Sequence, residues 1–407
     1  GRQQRLGRCG VQRSLGLGGG FAGLWSALGA ARKLDELGAD PAAARVTLVD
    51  RNTYHAIRVR NYEEDLSGVT LPFAEVLGPA GVDYVAGDVT AIDVAGKSVT
   101  VATPVGGRRL PYDRLILALG STLNRPPIPG LAEHGFDVDT YAAATRLDAH
   151  LAHLAAGGPA TVAVIGAGLT GIEVAAELPI KLRRLFGADR YRVILADSGP
   201  VMGSNMGEHA RPVIMEAMDA LGVETRAEVA VAGIDAGGVA LASGEVIAAQ
   251  TVVWCAGMRA SPLTALVPVE RDRFGRLPVD EFMRVKGVPD VFAAGDCAWS
   301  LIDGAHASVM SCQHGRPMGR FAGHNVVADL FGQPMLPLNI DWYTTILDLG
   351  EWGALYTIGW DRQMHAKGPS AKTTKQTINR RRIYPPRGGD RAQILAAAAP
   401  VLSNPPV

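Results

Sequence analysis

Two glycine-rich motifs carry the clearest chemical signal in the sequence. The first is Gly18-Gly-Gly20-Phe-Ala-Gly23 and the second is Gly166-Ala-Gly168-Leu-Thr-Gly171. In a G-x-G-x-x-G motif the first glycine makes a tight turn, the second lets a pyrophosphate approach the backbone, and the third lets helix and strand pack closely. The helix that follows presents free N–H groups to the phosphates. The motifs therefore predict two sites for the phosphates of dinucleotides.

A carboxylate follows each motif at nearly the same distance. Asp50 lies 27 residues after Gly23, and Asp197 lies 26 residues after Gly171. An acid at the end of the next strand accepts hydrogen bonds from ribose hydroxyls. A single motif is equally well explained as a glycine-rich turn, but two copies with matched acids favour two nucleotide-binding units.

Each motif needs a strand before it and a helix after it. Short β-branched runs alternate with helical segments along the chain, which is typical of α/β units on a parallel sheet. Because Arg13 and Ser14 are unusual in a central strand, we expect a distorted strand before the first motif, or a non-native terminus. The predicted helices are Gly20–Leu37, Leu169–Phe186, Glu208–Leu221 and Cys312–Leu330. The predicted strands are Val46–Asp50, Val82–Ala86, Ser98–Ala102, Leu115–Ala118, Thr161–Ile165, Arg192–Asp197, Val239–Ala242 and Thr251–Cys255.

The composition argues against several classes of protein. The 407 residues carry 40 basic and 40 acidic side chains, so a globally basic nucleic-acid-binding protein is excluded. The sequence has no run of about 18 apolar residues that would predict a membrane-spanning helix. The first 20 residues carry four arginines without an acid, which we interpret as a frayed or non-native terminus rather than a transit peptide. We expect reduced thiols, no metal site and a cytoplasmic location, since no CxxC spacing occurs among Cys9, Cys255, Cys297 and Cys312.

The order of motifs resembles the two-dinucleotide flavoprotein reductases, and most closely the type II NADH dehydrogenases. Leu117-Ala-Leu-Gly120 separates the glycine motifs, and Trp254-Cys-Ala-Gly257 and Val291-Phe-Ala-Ala-Gly-Asp296 follow the second. The resemblance extends roughly from Leu15 to Arg362. It implies an α/β fold with two Rossmann-like domains. Residues 1–130 and 258–335 would bind FAD, residues 131–257 would bind NAD(P)H, and residues 336–407 would form a C-terminal extension.

The resemblance implies that the first motif binds FAD. Asp50 would bind the adenosine ribose, and the backbone at Val89 would meet the adenine. Asp296 would bind the ribityl chain or a phosphate-linked hydroxyl. The residues implied at the FAD site are Gly18, Gly20, Phe21, Ala22, Gly23, Asp50, Arg51, Val89, Ala118, Gly120, Gly295, Asp296 and Gln313.

The second motif would then bind the reduced nicotinamide cofactor. A carboxylate at Asp197 accepts hydrogen bonds from a free 2′-hydroxyl and repels a 2′-phosphate, so NADH is favoured over NADPH. The alternative is that Asp197 is only a turn residue at the end of a strand. Glu173 matches the acid beside the nicotinamide–flavin stack. The residues implied at the NAD site are Gly166, Gly168, Leu169, Thr170, Gly171, Glu173, Asp197, Ala256 and Gly257.

The segment Ser311–Met318 matches the family segment that borders the flavin and the quinone. Gln313 matches the family's glutamine, and Cys312 replaces a small residue. A helix N-terminus there would stabilise anionic reduced flavin. His314 is either a proton relay to the reduced acceptor or a packing residue in the first helical turn. The resemblance therefore implies Glu173, Gln313 and His314 as catalytic residues, and the choice between the two roles of His314 is left open.

The implied function is an FAD-dependent NADH oxidoreductase with a quinone as electron acceptor. Related disulfide reductases carry a cysteine pair near Tyr54–Asn61, and this chain has none there. Electrons should therefore pass directly from the flavin to the acceptor. Two alternatives remain open: a soluble reductase of a ferredoxin- or rubredoxin-type protein, and a slow-turnover protein that binds flavin and NADH.

The tail between Arg362 and Arg391 holds nine basic side chains and one acidic side chain, a net charge of +8. Basic residues near an anionic surface contribute about 1 kcal/mol each. The tail is therefore either a peripheral contact with the inner face of a membrane or a solvated extension. We expect NADH and a quinone or small redox protein as partners and no nucleic acid, and a homodimer is left open. The apolar side of the tail is thin: Ile378, Ile383, Tyr384, Ile394 and Leu395.

Overall fold

A computed structural model describes residues 10–407 of the chain. Residues 1–9 lie outside the described part of the chain, and they contain Cys9 and three of the four N-terminal arginines. The interpretation of that terminus therefore stays a prediction.

Two five-stranded parallel sheets form the centre of the fold, which confirms the predicted α/β class. In both sheets the strand that leads into a glycine motif is the middle one, and the strand that ends at the matched acid lies beside it. The first sheet has the spatial order Val291–Ala293, Arg114–Leu117, Gln12–Leu17, Ala44–Asp50 and Asp83–Ala86. The second has the order Gly135–Phe136, Thr251–Trp254, Ala160–Ile165, Tyr191–Ala196 and Glu224–Arg226.

The expectation of a distorted first strand was wrong. Gln12–Leu17 pairs in parallel with its neighbours on both sides without a shift in register. Arg13 lies near the beginning of the strand, where it is exposed, and the small Ser14 fits into the interior. Leu15 and Leu17 fill the buried positions. Apolar residues at the end of the strand therefore suffice to hold it in the sheet.

The helices that follow the two glycine motifs are the fold's main packing elements. We number the helices α1 Phe21–Glu36, α2 Phe73–Ala80, α3 Leu131–His134, α4 Tyr141–Leu154, α5 Leu169–Phe186, α6 Arg211–Ala220, α7 Cys312–Leu330, α8 Pro369–Thr377 and α9 Arg391–Ala397. The α7 helix lies along α1 at close range. A Cβ at Gly319 would collide with the carbonyl oxygen of Ala22, and a Cβ at Gly323 with that of Ser26. These two glycines allow the helix backbones to approach, so the ends of α1 and α7 meet at one site.

Smaller sheets and short helices connect these elements. The three-stranded antiparallel sheets are Asp88–Asp93, Ser98–Thr103 and Gly106–Pro111; Val231–Asp235, Gly238–Leu241 and Val246–Ala248; and Thr344–Asp348, Ala354–Ile358 and Gln363–Gly368. The strand pairs are Tyr54–Ala56 with Thr70–Pro72, Ser121–Leu123 with Met258–Ala260, and Leu277–Pro278 with Ala298–Trp299. The short helical turns are Arg58–Arg60, Ser204–Met206, Pro262–Leu266, Gly295–Cys297, Gly350–Trp352 and Ile378–Arg382.

The C-terminal segment is more ordered than its sequence pattern predicts. It adds a three-stranded sheet and the helices α8 and α9 to the body of the protein. Ile394 and Leu395 of α9 are buried in the same hydrophobic core as Trp25 of α1. Ile383 and Tyr384 are buried as well. These four apolar residues therefore pack inward. Among residues 10–407, no helix combines the length and the apolar character needed to cross a bilayer.

Candidate active site

The first glycine motif forms a turn that leaves one side open. Gly18 has a positive φ of 100°, and a Cβ there would collide with the carbonyl oxygen of Ala118. A Cβ at Gly23 would collide with the carbonyl oxygen of Gly18. A Cβ at Gly20 would meet nothing within 4 Å. The N-terminus of α1 carries no side-chain cap, so its N–H groups face this open space. Uncapped N–H groups beside open space fit a bound phosphate.

The second glycine motif repeats this geometry. Gly166 has a φ of 105°, and a Cβ there would come within 2.9 Å of the backbone nitrogen of Ala256. A Cβ at Gly171 would collide with the carbonyl oxygen of Gly166, whereas one at Gly168 would meet nothing within 4 Å. The N-terminus of α5 also lacks a side-chain cap. Each motif therefore has two glycines that the fold requires and one that it does not.

The two matched acids stabilise the loops above them. Asp50 accepts a hydrogen bond from the backbone N–H of Gly19 at 2.7 Å, and Asp197 accepts one from that of Ala167 at 2.9 Å. Asp197 accepts a second from Gly199 at 2.9 Å. Burial raises the pKa of Asp50, and its N–H donors oppose the shift. Spacing alone did not reveal this loop-holding role.

One cavity of about 830 Å³ joins the two motifs. Both open glycines line it, and so does the beginning of α7, so one continuous space touches three helix N-termini. Most of the residues that the sequence predicts for the site are found in its wall. These are Gly20, Phe21, Ala22, Ala118, Gly120, Gly168, Leu169, Thr170, Glu173, Gly257, Gly295, Asp296 and Gln313.

Other predicted residues lie outside the cavity wall. Some lie in the two turns or in the loops beside them. Gly23, Gly166 and Gly171 are buried there, whereas Gly18, Asp50, Asp197 and Ala256 are partly buried. Val89 lies in the strand Asp88–Asp93. Arg51 is exposed, and its Nε lies 3.2 Å from a carboxylate oxygen of Asp88. The contacts predicted for Val89 and Arg51 stay predictions.

A polar cluster around Asp296 contains residues that the sequence analysis missed. Ser121 Oγ donates a hydrogen bond to Asp296 at 2.6 Å. Arg58 donates to Ser121 Oγ at 2.9 Å and contacts the carboxylate of Asp139. Arg58, Asp139 and Asp296 all line the cavity. The cluster therefore fixes the orientation of the Asp296 carboxylate in the cavity wall.

Glu173 forms a buried ion pair with the tail. Lys375 Nζ of α8 lies 2.7 Å from Glu173 Oε1 and donates a second hydrogen bond to the carbonyl oxygen of Ile346 at 2.8 Å. The backbone N–H of Asp348 also donates to Glu173, at 3.0 Å. Burial raises the pKa of Glu173, and the charge of Lys375 opposes that shift. Glu173 and Lys375 are 202 positions apart, so nothing in the local sequence indicated this contact.

Gln313 and His314 are neighbours in sequence but lie in different environments. Gln313 lines the cavity, and its Oε1 accepts a hydrogen bond from Thr344 Oγ1 at 3.1 Å. His314 is fully buried, does not line the cavity, and accepts a hydrogen bond on Nδ1 from the backbone N–H of Val309 at 2.9 Å. Burial lowers the pKa of His314 to about 4. This placement favours the packing interpretation of His314 over the proton relay.

The cysteines of the described residues are free thiols. Cys255 and Cys312 line the cavity, and Cys297 is buried beside it. Burial raises the pKa of both Cys255 and Cys297 to about 12, so both are protonated at neutral pH. Protonated thiols are poor nucleophiles. Between residues 10 and 407, no group of three or more His, Cys, Asp or Glu side chains is arranged to hold a metal ion.

Comparisons with known proteins agree with this architecture. Residues 17–319 match the pyridine nucleotide-disulphide oxidoreductase family. An NADH dehydrogenase-like protein of Mycobacterium tuberculosis is 58% identical over 398 residues, which cover 96% of this chain and 98% of the relative. A type II NADH:quinone oxidoreductase of Staphylococcus epidermidis is 27% identical, with coverage of 92% and 95%. The solved structure of NDH2 from Plasmodium falciparum has a TM-score of 0.75 at 14% identity, covers 95% and 97% of the two chains, and is similar in fold.

Proposed function

The chain belongs to the pyridine nucleotide-disulphide oxidoreductase family and is an NADH dehydrogenase-like oxidoreductase, and we propose that it transfers electrons from NADH through FAD to a quinone. One observation carries this proposal: a single cavity connects both dinucleotide motifs to the beginning of α7. Two dinucleotides bound at the two motifs would therefore extend into a shared space. FAD, once bound, accepts a hydride from NADH and passes the electrons on to an acceptor.

The first motif is the proposed FAD site. The N–H groups at the beginning of α1 would bind the pyrophosphate, which the open space at Gly20 admits. The carboxylate of Asp296, held by Ser121, would accept hydrogen bonds from the ribityl hydroxyls. Gln313 is oriented by Thr344, and its amide group would face the flavin edge from the uncapped N-terminus of α7. A positive helix end there stabilises negative charge on the reduced ring.

The second motif is the proposed NADH site. The beginning of α5 and the open space at Gly168 would accept the pyrophosphate. Asp197 would accept hydrogen bonds from the ribose hydroxyls, which supports NADH over NADPH because a 2′-phosphate would be repelled. Glu173, one turn into α5, lies where the nicotinamide end would reach the shared cavity.

The electron acceptor would enter beside Lys375. The ammonium group of Lys375 is held by Glu173 and lines the cavity. A cation fixed in this position would stabilise the negative charge that develops on a quinone oxygen as it is reduced. The protonated thiols of Cys255 and Cys297 support direct electron transfer without a thiol relay.

Anaerobic spectroscopy tests the proposal. We expect the purified protein to show flavin absorbance, NADH to bleach it, and a soluble quinone to restore it faster than a ferredoxin-type protein does. Faster reoxidation by the ferredoxin-type protein would favour the reductase of a small redox protein. Failure of NADH to bleach a bound flavin would contradict the enzymatic function altogether.

Peripheral contact with a membrane is a separate proposal, and the exposed Arg380 and Arg381 of the tail support it. Protein that co-sediments with anionic vesicles at low salt should stay in solution at high salt, because counterions screen exposed charges. The Arg380→Gln/Arg381→Gln variant should bind the vesicles more weakly than the unmodified chain. Equal binding of both proteins would contradict a contact through these arginines. A homodimer also stays a prediction, which sedimentation analysis would test.

A further inference from the structure

Three arginines line one side of the same cavity. Arg316 and Arg320 lie one turn apart on α7, and Arg382 follows the tail helix α8. We call these three residues the arginine wall. Within residues 10–407, none of the three forms an ion pair with an acid. Residues 1–9 contain no Asp or Glu, so they cannot supply a counter-charge.

The other cations that line the cavity are all paired. Arg58 contacts Asp139, Arg276 Nε lies 2.8 Å from a carboxylate oxygen of Asp272, and Lys375 contacts Glu173. Because these paired cations line the same cavity, the lack of acids on the arginine wall is a local property. It is not a consequence of a generally basic cavity.

The arginine wall is partly buried, and its only hydrogen-bond acceptors among the described residues are two backbone carbonyl oxygens. Arg320 donates to that of Ala397 at 3.5 Å, and Arg382 donates to that of Asn404. Only 6% of Arg320 is exposed, and Arg316 is half-buried. The Nε atoms of Arg316 and Arg320 are buried and have no hydrogen-bond partner among the described residues. Both guanidinium groups lie over the ring of Trp25, with their central carbons 5.2 Å and 5.6 Å from its centroid.

Burial and the neighbouring charge of Arg320 lower the pKa of Arg316 to about 10, so the group is still cationic at neutral pH. Cations that are buried side by side without an acid destabilise the fold. Strongly shifted charges in a cleft are typical of functional sites. A bound anion would remove this repulsion.

The position of the arginine wall separates it from the proposed pyrophosphate site. Trp25 lies four residues after Phe21, which is about 6 Å along the helix axis. The N–H groups at the beginning of α1 are already available for the pyrophosphate. The apolar side chains of Ile383 and Leu402, which belong to the C-terminal segment 336–407, line the same cavity as the arginine wall. A flat apolar ring with an acidic substituent would match both surfaces.

We propose that the arginine wall binds the anionic substituent of the electron acceptor, and that this acceptor is an aromatic quinone bearing a carboxylate or a sulfonate. This inference rests on the proposed function because it names the acceptor class for the same cavity. Paired N–H donors of a guanidinium match a carboxylate in a bidentate contact. The acceptor's ring would then lie between the arginine wall and Lys375.

A binding measurement on the flavin-containing protein tests the proposal without turnover. We would titrate it with 2-naphthoate and with 2-naphthol by calorimetry; both are bicyclic, and neither accepts a hydride. We expect 2-naphthoate to bind about tenfold more tightly than 2-naphthol, because a charge-assisted hydrogen bond contributes free energy of this size. The Arg316→Met/Arg320→Met variant keeps the apolar stems and should lose this preference. The Arg382→Met variant should weaken the preference for 2-naphthoate. Because Arg382 is less buried than Arg320, this variant provides a test if the double variant does not fold.

Arg387→Met is the matched control, because Arg387 is exposed in the same tail and does not line the cavity. It should keep the preference of the unmodified protein. In turnover, the ratio of KM for naphthoquinone sulfonate to KM for unsubstituted naphthoquinone should rise about tenfold in the arginine-wall variants.

Several results would overturn the inference. Equal affinity of the unmodified protein for 2-naphthoate and 2-naphthol would do so, and so would a preference that survives in the arginine-wall variants. Loss of flavin from these variants would assign the arginines to the FAD pyrophosphate instead. Failure of NADH to reduce the flavin of the unmodified protein would refute the proposed function, but it would leave the naphthoate measurement unaffected, so the two failures are distinguishable.

Discussion

The two glycine motifs are nearly identical in geometry but differ in their surroundings. In each, the last glycine packs against the carbonyl of the first, and a carboxylate one strand away accepts a hydrogen bond from the middle of the loop. The first helix, α1, is enclosed by α7 and α9, whereas α5 carries Glu173 and reaches the tail through Lys375. The loop geometry therefore indicates a dinucleotide, and the neighbouring elements decide which one it is.

The largest expected effect tests whether the two loops are structurally equivalent. Gly23→Val and Gly171→Val each place a side chain against a backbone carbonyl that cannot move freely. Overpacking of this kind destabilises the fold by about 1–3 kcal/mol and occasionally by more. Both variants should show a similarly lowered midpoint of thermal unfolding. A midpoint that falls strongly in one variant and stays unchanged in the other would mean that the loops are not equivalent.

The next effect separates the ligands of the two loops. A Cβ at Gly20 or Gly168 meets no protein atom within 4 Å, so we expect Gly20→Val and Gly168→Val both to fold. We expect Gly20→Val to lose FAD during purification and Gly168→Val to keep FAD, with KM for NADH raised at least about tenfold. Flavin content and steady-state kinetics provide the two readings. If the two variants exchanged these results, the assignment of the loops would be reversed.

A smaller effect concerns the choice between NADH and NADPH. Asp197→Ser removes the charge that would repel a 2′-phosphate, so the ratio of kcat/KM for NADH to that for NADPH should fall by about tenfold. Asp50→Ser is the matched control, because Asp50 holds the other loop in the same way. It should affect flavin retention and leave the ratio as it is. An unchanged ratio in Asp197→Ser would show that Asp197 is only a turn residue.

The smallest effect is expected at His314. Burial lowers its pKa to about 4, so the ring stays neutral as the pH rises from about 6 to 8. A group that does not titrate in this range cannot shape the pH dependence there. The kcat profile of His314→Ala should therefore have the same shape as that of the unmodified protein. A lost inflection near neutral pH would restore the proton-relay interpretation.

The sequence predicts the two loops well because their requirements are local. Strand, tight turn, helix and acid follow one another within one unit, so the roles of Gly18 and Gly166 can be deduced from spacing. The ends of the predicted elements agree closely with the structure; the largest shift is at α6, which begins at Arg211 where we predicted Glu208.

The cavity wall beyond the loops could not be predicted in the same way. Lys375 reaches Glu173, and Arg382 joins Arg316, only because the tail folds back onto the body of the protein. The sequence pattern indicated a solvated or membrane-facing tail, since it shows charge but not the partner of each charge. Contacts between distant segments depend on how the tail packs, and a single sequence contains no periodicity that reports it.

An anaerobic NADH titration of the unmodified protein and of Gly168→Val most directly tests the central claim that flavin and NADH bind to different loops. The account predicts that about one equivalent of NADH bleaches the flavin of the unmodified protein. The same addition should bleach the flavin of Gly168→Val at least about tenfold more slowly, because NADH binds its loop more weakly. A Gly168→Val protein that contains no flavin, or whose flavin bleaches as readily as that of the unmodified protein, would contradict the claim.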